Sequence, residues 1–228
     1  MRLPLPHWRD SKPDEIRGWI TEVNDGIITV AGVGLGLAGA EVAADTTYAV
    51  VAINAFIGAL TVLGVKVGER LADREAEDDL IAHEAQKLAI TPDNEQAELI
   101  SWFESKGVSP TTARSVADEL SAGDALGAQL RIEYGVTDRT TIRDAWYDAA
   151  QAGLAFFIGA LMPLLATLLA PWDWHVWWTI GIASVSLVVT SVVLSRLGHS
   201  NTGAIVVRPL ALGLGTITIS YLLGDLLL

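Results

Sequence analysis

Residues 46–65 read TTYAVVAINAFIGALTVLGV, twenty positions without a charge, and shortly after them residues 69–79 read ERLADREAEDD. A helix needs roughly 20 apolar residues to cross a bilayer. The first stretch therefore belongs in lipid and the second in water. The same contrast recurs along the chain. Residues 27–40, 149–172, 174–195 and 209–224 carry no Asp, Glu, Lys or Arg, whereas 70–145 hold 16 Asp+Glu, Asp138 among them, against 8 Lys+Arg. The run at 27–40 is short, but extended back through Ile16–Gly26 it makes a full span that contains Asn24 and Asp25. Charged residues precede it, among them Arg2, Arg9 and Lys12, and it lies too deep for a cleavable leader.

The spacing predicts an all-α polytopic membrane protein with five transmembrane helices, at about 17–40, 46–69, 147–171, 174–196 and 203–226. Three regions follow: 1–69 with an N-terminal segment and the first two spans, 70–145 as an acidic insert, and 146–228 with the last three spans. All 15 Lys+Arg fall within 1–17, 66–146 and 196–208. By the positive-inside rule, the N-terminus and the insert are cytoplasmic and the C-terminus is outside, in the cell membrane if the source is prokaryotic. Trp172, Trp174, Trp177 and Trp178 form an outer interfacial belt, with Trp19 and Trp146 at the inner face.

Composition agrees: 51% of residues are hydrophobic, 18% are charged, and the mean hydropathy is +0.39. A net charge of −12 argues against a nucleic-acid partner, which needs a basic face. With no cysteine, thiolate metal sites and Cys nucleophiles are excluded. No HExxH is present, His7, His83, His175 and His199 have no ligand spacing, and no enzyme is expected.

The insert reads as three helices. The first continues from the second span to about Leu88. The second begins at Thr91-Pro92, with Thr91 as N-cap and Pro92 at N1, and stops at Gly107. The third covers 110–121, with a last turn or two up to Gly135. Glu95 and Glu98 share one helix face at i, i+3, and the turn at 91–93 folds Glu84 back beside them. Clustered carboxylates either hold a hard cation or make a solvated acidic face; both readings stand. Asp25, inside a span, is a functional candidate because an intramembrane carboxylate is costly. Gly32/Gly36 and Gly64/Gly68 form GxxxG packing signals, and Pro163 is expected to kink the third span.

Two spans, an acidic insert and three spans, with Asn24-Asp25-Gly26-Ile27-Ile28-Thr29 opening the first and Phe157-Ile158-Gly159-Ala160-Leu161-Met162-Pro163-Leu164 in the third, resemble the vacuolar iron transporter family of Fe/Mn transporters. The resemblance implies a homodimer in a lipid membrane that exports Fe²⁺ or Mn²⁺ from the cytosol by proton antiport, with no permanently bound cofactor. It implies metal ligation by Asp25 in the pathway and by Glu84, Glu95, Glu98 and Glu133 in the insert. Asn54 and Lys66 fall at pathway-modulating positions. Departures are specific: Lys87 stands at a ligand glutamate, Gln129 and Leu130 at methionines, Val62 at the pathway methionine and Lys66 at a pathway glutamate. Lys66 is expected to ion-pair with Asp25. The alternative function is a transport-deficient, membrane-anchored metal-sensing or interaction protein.

Overall fold

The structure, a computed structural model, describes residues 13–136, 139–198 and 202–227. Arg2, Arg9 and Lys12 of the N-terminal segment, Asp138 and His199 lie outside the described residues. The described residues form eight α-helices: α1 (Pro13–Gly39), α2 (Ala44–Ile90), α3 (Pro92–Ser105), α4 (Pro110–Ala122), α5 (Ala125–Glu133), α6 (Ile142–Leu169), α7 (His175–Gly198) and α8 (Thr202–Leu227). A single 3₁₀ turn, Trp172–Trp174, joins α6 to α7. Among the described residues there is no strand, and five helices (α1, α2, α6, α7 and α8) are long and apolar enough to cross a membrane. The all-α, five-span expectation holds. Two compact units form, one from the described residues through Val67 and from Trp146 onward, the other from Gly68–Ala145.

In the spanning unit α1 is the central helix. Val23, Ile27, Ala31 and Leu35 form one core with Ala155, Ala183, Leu187 and Ile217. Val30 enters a second core with Val51, Ala55, Phe156, Ala160 and Leu164. Helix packing in lipid lacks the usual hydrophobic drive and relies on close backbone approach and polar fasteners. Both are present. A Cβ on Gly159 would collide with the Val23 carbonyl oxygen, and one on Gly26 with the Phe156 carbonyl, so α1 and α6 touch backbone to backbone. Gly224 meets the Gly36 carbonyl in the same way, bringing α8 onto α1. The Ser220 hydroxyl donates to the Gly32 carbonyl at 2.7 Å, and the Thr190 hydroxyl to Asn24 Oδ1 at 2.6 Å.

The two glycine signals therefore diverge. Gly36 is at a helix crossing, but a Cβ on Gly64 or Gly68 would meet nothing within 4 Å in this chain. The α1 C-terminus closes with Glu41 in the left-handed region at φ 52, with the Val42 amide bonded to the Leu37 carbonyl at 3.0 Å and the Glu41 amide to Ala38 at 3.1 Å. This is a Schellman ending that usually takes glycine. Pro163 lies buried in α6, and its carbonyl accepts from the Thr167 hydroxyl at 2.9 Å.

The insert differs from its sequence reading in one element. Residues expected as a last turn or two form a nine-residue helix, α5. Asp124 starts it as N-cap, its Oδ1 accepting from the Gly127 amide at 2.9 Å. Ser109 caps α4 through the Thr112 amide at 3.4 Å. Thr91 occupies the N-cap position of α3, but its hydroxyl donates back to the Lys87 carbonyl at 3.2 Å and caps nothing. Gly107, at φ 88, ends α3 as expected. After α5, Arg139 reaches Asp78 at 2.8 Å, and the Thr140 amide and hydroxyl both donate to Glu77 at 3.0 Å.

Gly159→Ala should lower thermal stability in detergent, because overpacking typically costs about 1–3 kcal/mol and the obstacle is backbone. Gly215→Ala on α8, where a Cβ would also meet nothing within 4 Å, should be neutral or slightly stabilising, since Ala exceeds Gly in helix propensity by about 1 kcal/mol. Fluorescence-detected size-exclusion melting curves compare the two.

Candidate metal sites

The insert gathers its carboxylates unequally. Glu84, in the last turns of α2, is fully buried, and Glu95, in the first turn of α3, is 3% exposed. Glu98 and Glu133 are exposed. The α2–α3 turn folds Glu84 and Glu95 together, as the spacing predicts, so that the Glu84 charge acts on the Glu95 carboxyl. Glu84 Oε2 accepts from Lys87 Nζ at 3.2 Å and from the Tyr134 hydroxyl at 3.4 Å. The Gln129 amide donates to the Glu95 backbone carbonyl at 2.7 Å, tying α5 to α3. Leu99, Ala113, Ala117, Ala128 and Leu130 are buried apolar residues of the same insert.

Burial pushes the Glu95 carboxyl up to about 7, with the neighbouring Glu84 carboxyl and the Glu98 charge acting the same way and Lys87 opposing. Burial also raises the Tyr134 phenol, helped by the Glu133 and Glu84 charges. Glu98 thus acts on Glu95 from outside the pair, whereas Glu133 acts on Tyr134. Glu84 Oε1 and Glu95 Oε2 are buried with no hydrogen-bond partner. Among the described residues no three His, Asp or Glu side chains converge in the manner of a metal cage. His83, beside Glu84 in sequence, is exposed. Tyr134 was not legible as a site residue from spacing; its one signal is adjacency to Glu133.

The spanning unit carries a separate constellation. Asp25 is exposed on the surface of α1, three residues beyond Glu22 on the same face. Lys66 Nζ on α2 lies 3.7 Å from Glu22 Oε1, and its charge also acts on Asp25. Glu22 is the residue that the sequence reading overlooked: the i, i+3 spacing to Asp25 was the available signal. Asn24 points to α7 and Thr190 instead. Asn54 has its Nδ2 buried without a partner, and Val62 packs against the second core.

Five membrane-length helices and a helical insert between the second and third of them define a multi-pass membrane protein. The chain belongs to the VIT family, whose model matches residues 16–225. It is 29% identical over 195 residues to a vacuolar iron transporter of Acanthamoeba castellanii, the match covering 82% of this chain and 68% of that protein.

The raised Glu95 fixes the sign of a pH effect. Its folded value of about 7 exceeds the ordinary 4.5, so its contribution to stability is complete below about 4.5 and is lost as pH rises through about 7. Hydrogen exchange over residues 92–133 of the full chain, corrected for intrinsic rates, should show protection falling between about pH 4.5 and about pH 7 and levelling off above that. Glu95→Gln should flatten that profile.

Proposed function

We propose that the protein exports a divalent metal ion, Fe²⁺ or Mn²⁺, from the cytosol in exchange for protons, as a homodimer whose α1 and α2 line the pathway. The observation that carries this reading is Asp25, a carboxylate within a span and exposed on the single chain. A charge there is costly in lipid, so water, a cation or a second subunit has to cover it. A homodimer axis supplies that cover, and α2 offers a broad face to it, with Ile53, Phe56, Ile57 and Leu60 all more than half exposed.

In this mechanism Asp25 takes a metal ion in its ionised form and releases it on protonation from the far side. Glu22, one turn away, extends the carboxylate path toward the N-terminal end of α1. The insert loads the pathway through Glu84, Glu95, Glu98 and Glu133. Asn54 borders the route as a polar position on α2. Membership of the VIT family and similarity to a protein named for iron transport support metal as the cargo. The Lys/Arg distribution supports a cytoplasmic N-terminus and insert and an external C-terminus.

A second reading, a membrane-anchored metal sensor without transport, is favoured by one observation. Lys66 already holds Glu22, so its ammonium stands where a moving cation would pass. Mn²⁺ flux into proteoliposomes separates the readings. Asp25→Asn should abolish flux in whichever form transports. Lys66→Ala should raise flux if the ion pair obstructs the path; a parent and a Lys66→Ala variant both silent, with Mn²⁺ still bound, favour the sensor.

A reporter fused after Leu228 should be active only outside the cytoplasm. A cytoplasmic signal there overturns the orientation and, with it, the direction of export.

A further inference from the structure

The insert interior contains two carboxyl groups and one ammonium. Glu84 and Glu95 are 0% and 3% exposed and face one another across the α2–α3 turn. Each keeps an oxygen buried and unpartnered, Glu84 Oε1 and Glu95 Oε2. Those orphaned acceptors point to a missing cationic or donor partner, because buried polar atoms are ordinarily satisfied. Glu84 Oε2, by contrast, has two donors: the Tyr134 hydroxyl and Lys87 Nζ, the latter 3.2 Å away. Lys87 lies one helical turn beyond Glu84, and its side chain is 32% exposed while that of Glu84 is fully buried. The lysine therefore reaches in from the rim and has an open route back to water.

We propose that the Lys87 ammonium is the resident cation of the Glu84–Glu95 pair, and that a divalent cation enters the pair only by displacing it. This rests on the reading of the insert as a metal-loading unit and assigns Lys87 as the residue that sets its affinity. Two consequences follow. The lysine supplies the charge that a buried carboxylate needs when no metal is bound, so the metal-free insert stays packed. The divalent ion competes with a tethered charge, so the site responds only at higher metal concentration.

The test uses the full-length protein in detergent, in an Asp25→Asn background so that the span carboxylate contributes no binding. Hydrogen exchange of residues 84–134 is measured in EDTA and again with Mn²⁺, and Mn²⁺ affinity is read by electron paramagnetic resonance. In EDTA, Lys87→Gln should lose protection because Glu84 is left buried without a counter-charge, and Lys87→Arg should retain it. Mn²⁺ should restore the Lys87→Gln insert, with an affinity roughly tenfold tighter than that of the Lys87 protein. Full protection of Lys87→Gln in EDTA, with unchanged Mn²⁺ affinity, overturns the proposal alone. Loosening that Mn²⁺ does not repair overturns it together with the metal-loading reading.

Discussion

Gly159 of α6 rests on the backbone carbonyl of Val23 in α1, and no side chain fits between them. The arrangement of the spanning unit depends on this contact and on its counterpart at Gly36 and Gly224. With α6 and α8 drawn against α1 through glycine, and Asn24 fastened to Thr190 of α7, most faces of α1 are occupied. What remains is the face that carries Glu22 and Asp25. The polar face is left over from close packing on the other sides, and α2 supplies Lys66 to it. Replacing these glycines would therefore alter the position of the carboxylates as well as the stability of the bundle.

The spans were legible because bilayer thickness imposes a length and excludes charge, two properties read directly from a run such as 46–65. Asp25 stood out for the same reason. Side-chain pairing was less accessible. Lys66 was expected beside Asp25, and the structure gives it Glu22 as a close partner while its charge still acts on Asp25. A one-turn offset between two helices decides this, and no local sequence rule encodes it. Gly64 and Gly68 show the opposite limit: the spacing of a packing motif says nothing about whether a partner helix is there.

In the insert, the proximity of Glu84 and Glu95 followed from Thr91-Pro92, since proline at N1 ends one helix and starts the next. Their burial did not follow, because it depends on α5, and α5 was read as a turn or two. Asp124 is the local signal for that helix, as an N-cap whose side chain accepts the Gly127 amide. Once α5 forms, Gln129 reaches the Glu95 carbonyl and Tyr134 reaches Glu84. A solvated acidic face thereby becomes an enclosed pair, and enclosure is what raises Glu95.

Ligand chemistry constrains what such a pair selects. The chain has no cysteine and two methionines, Met1 and Met162. Met162 lies in α6 and lines a pocket with Trp174, Trp177 and Trp178. Every other candidate donor here is oxygen or an amide. Soft thiolate and thioether ligands are the usual means of favouring one transition metal by bond type; carboxylates suit Mg²⁺, Ca²⁺ and Mn²⁺ as well. On the proposed reading, discrimination would come from the number of ligands and from cavity size. A lysine stands at each carboxylate constellation, Lys66 at Glu22 and Lys87 at Glu84; on the proposed reading such a tethered ammonium lowers the apparent affinity for every competing ion by the same factor, so it would set the concentration at which an ion enters and not which ion is preferred.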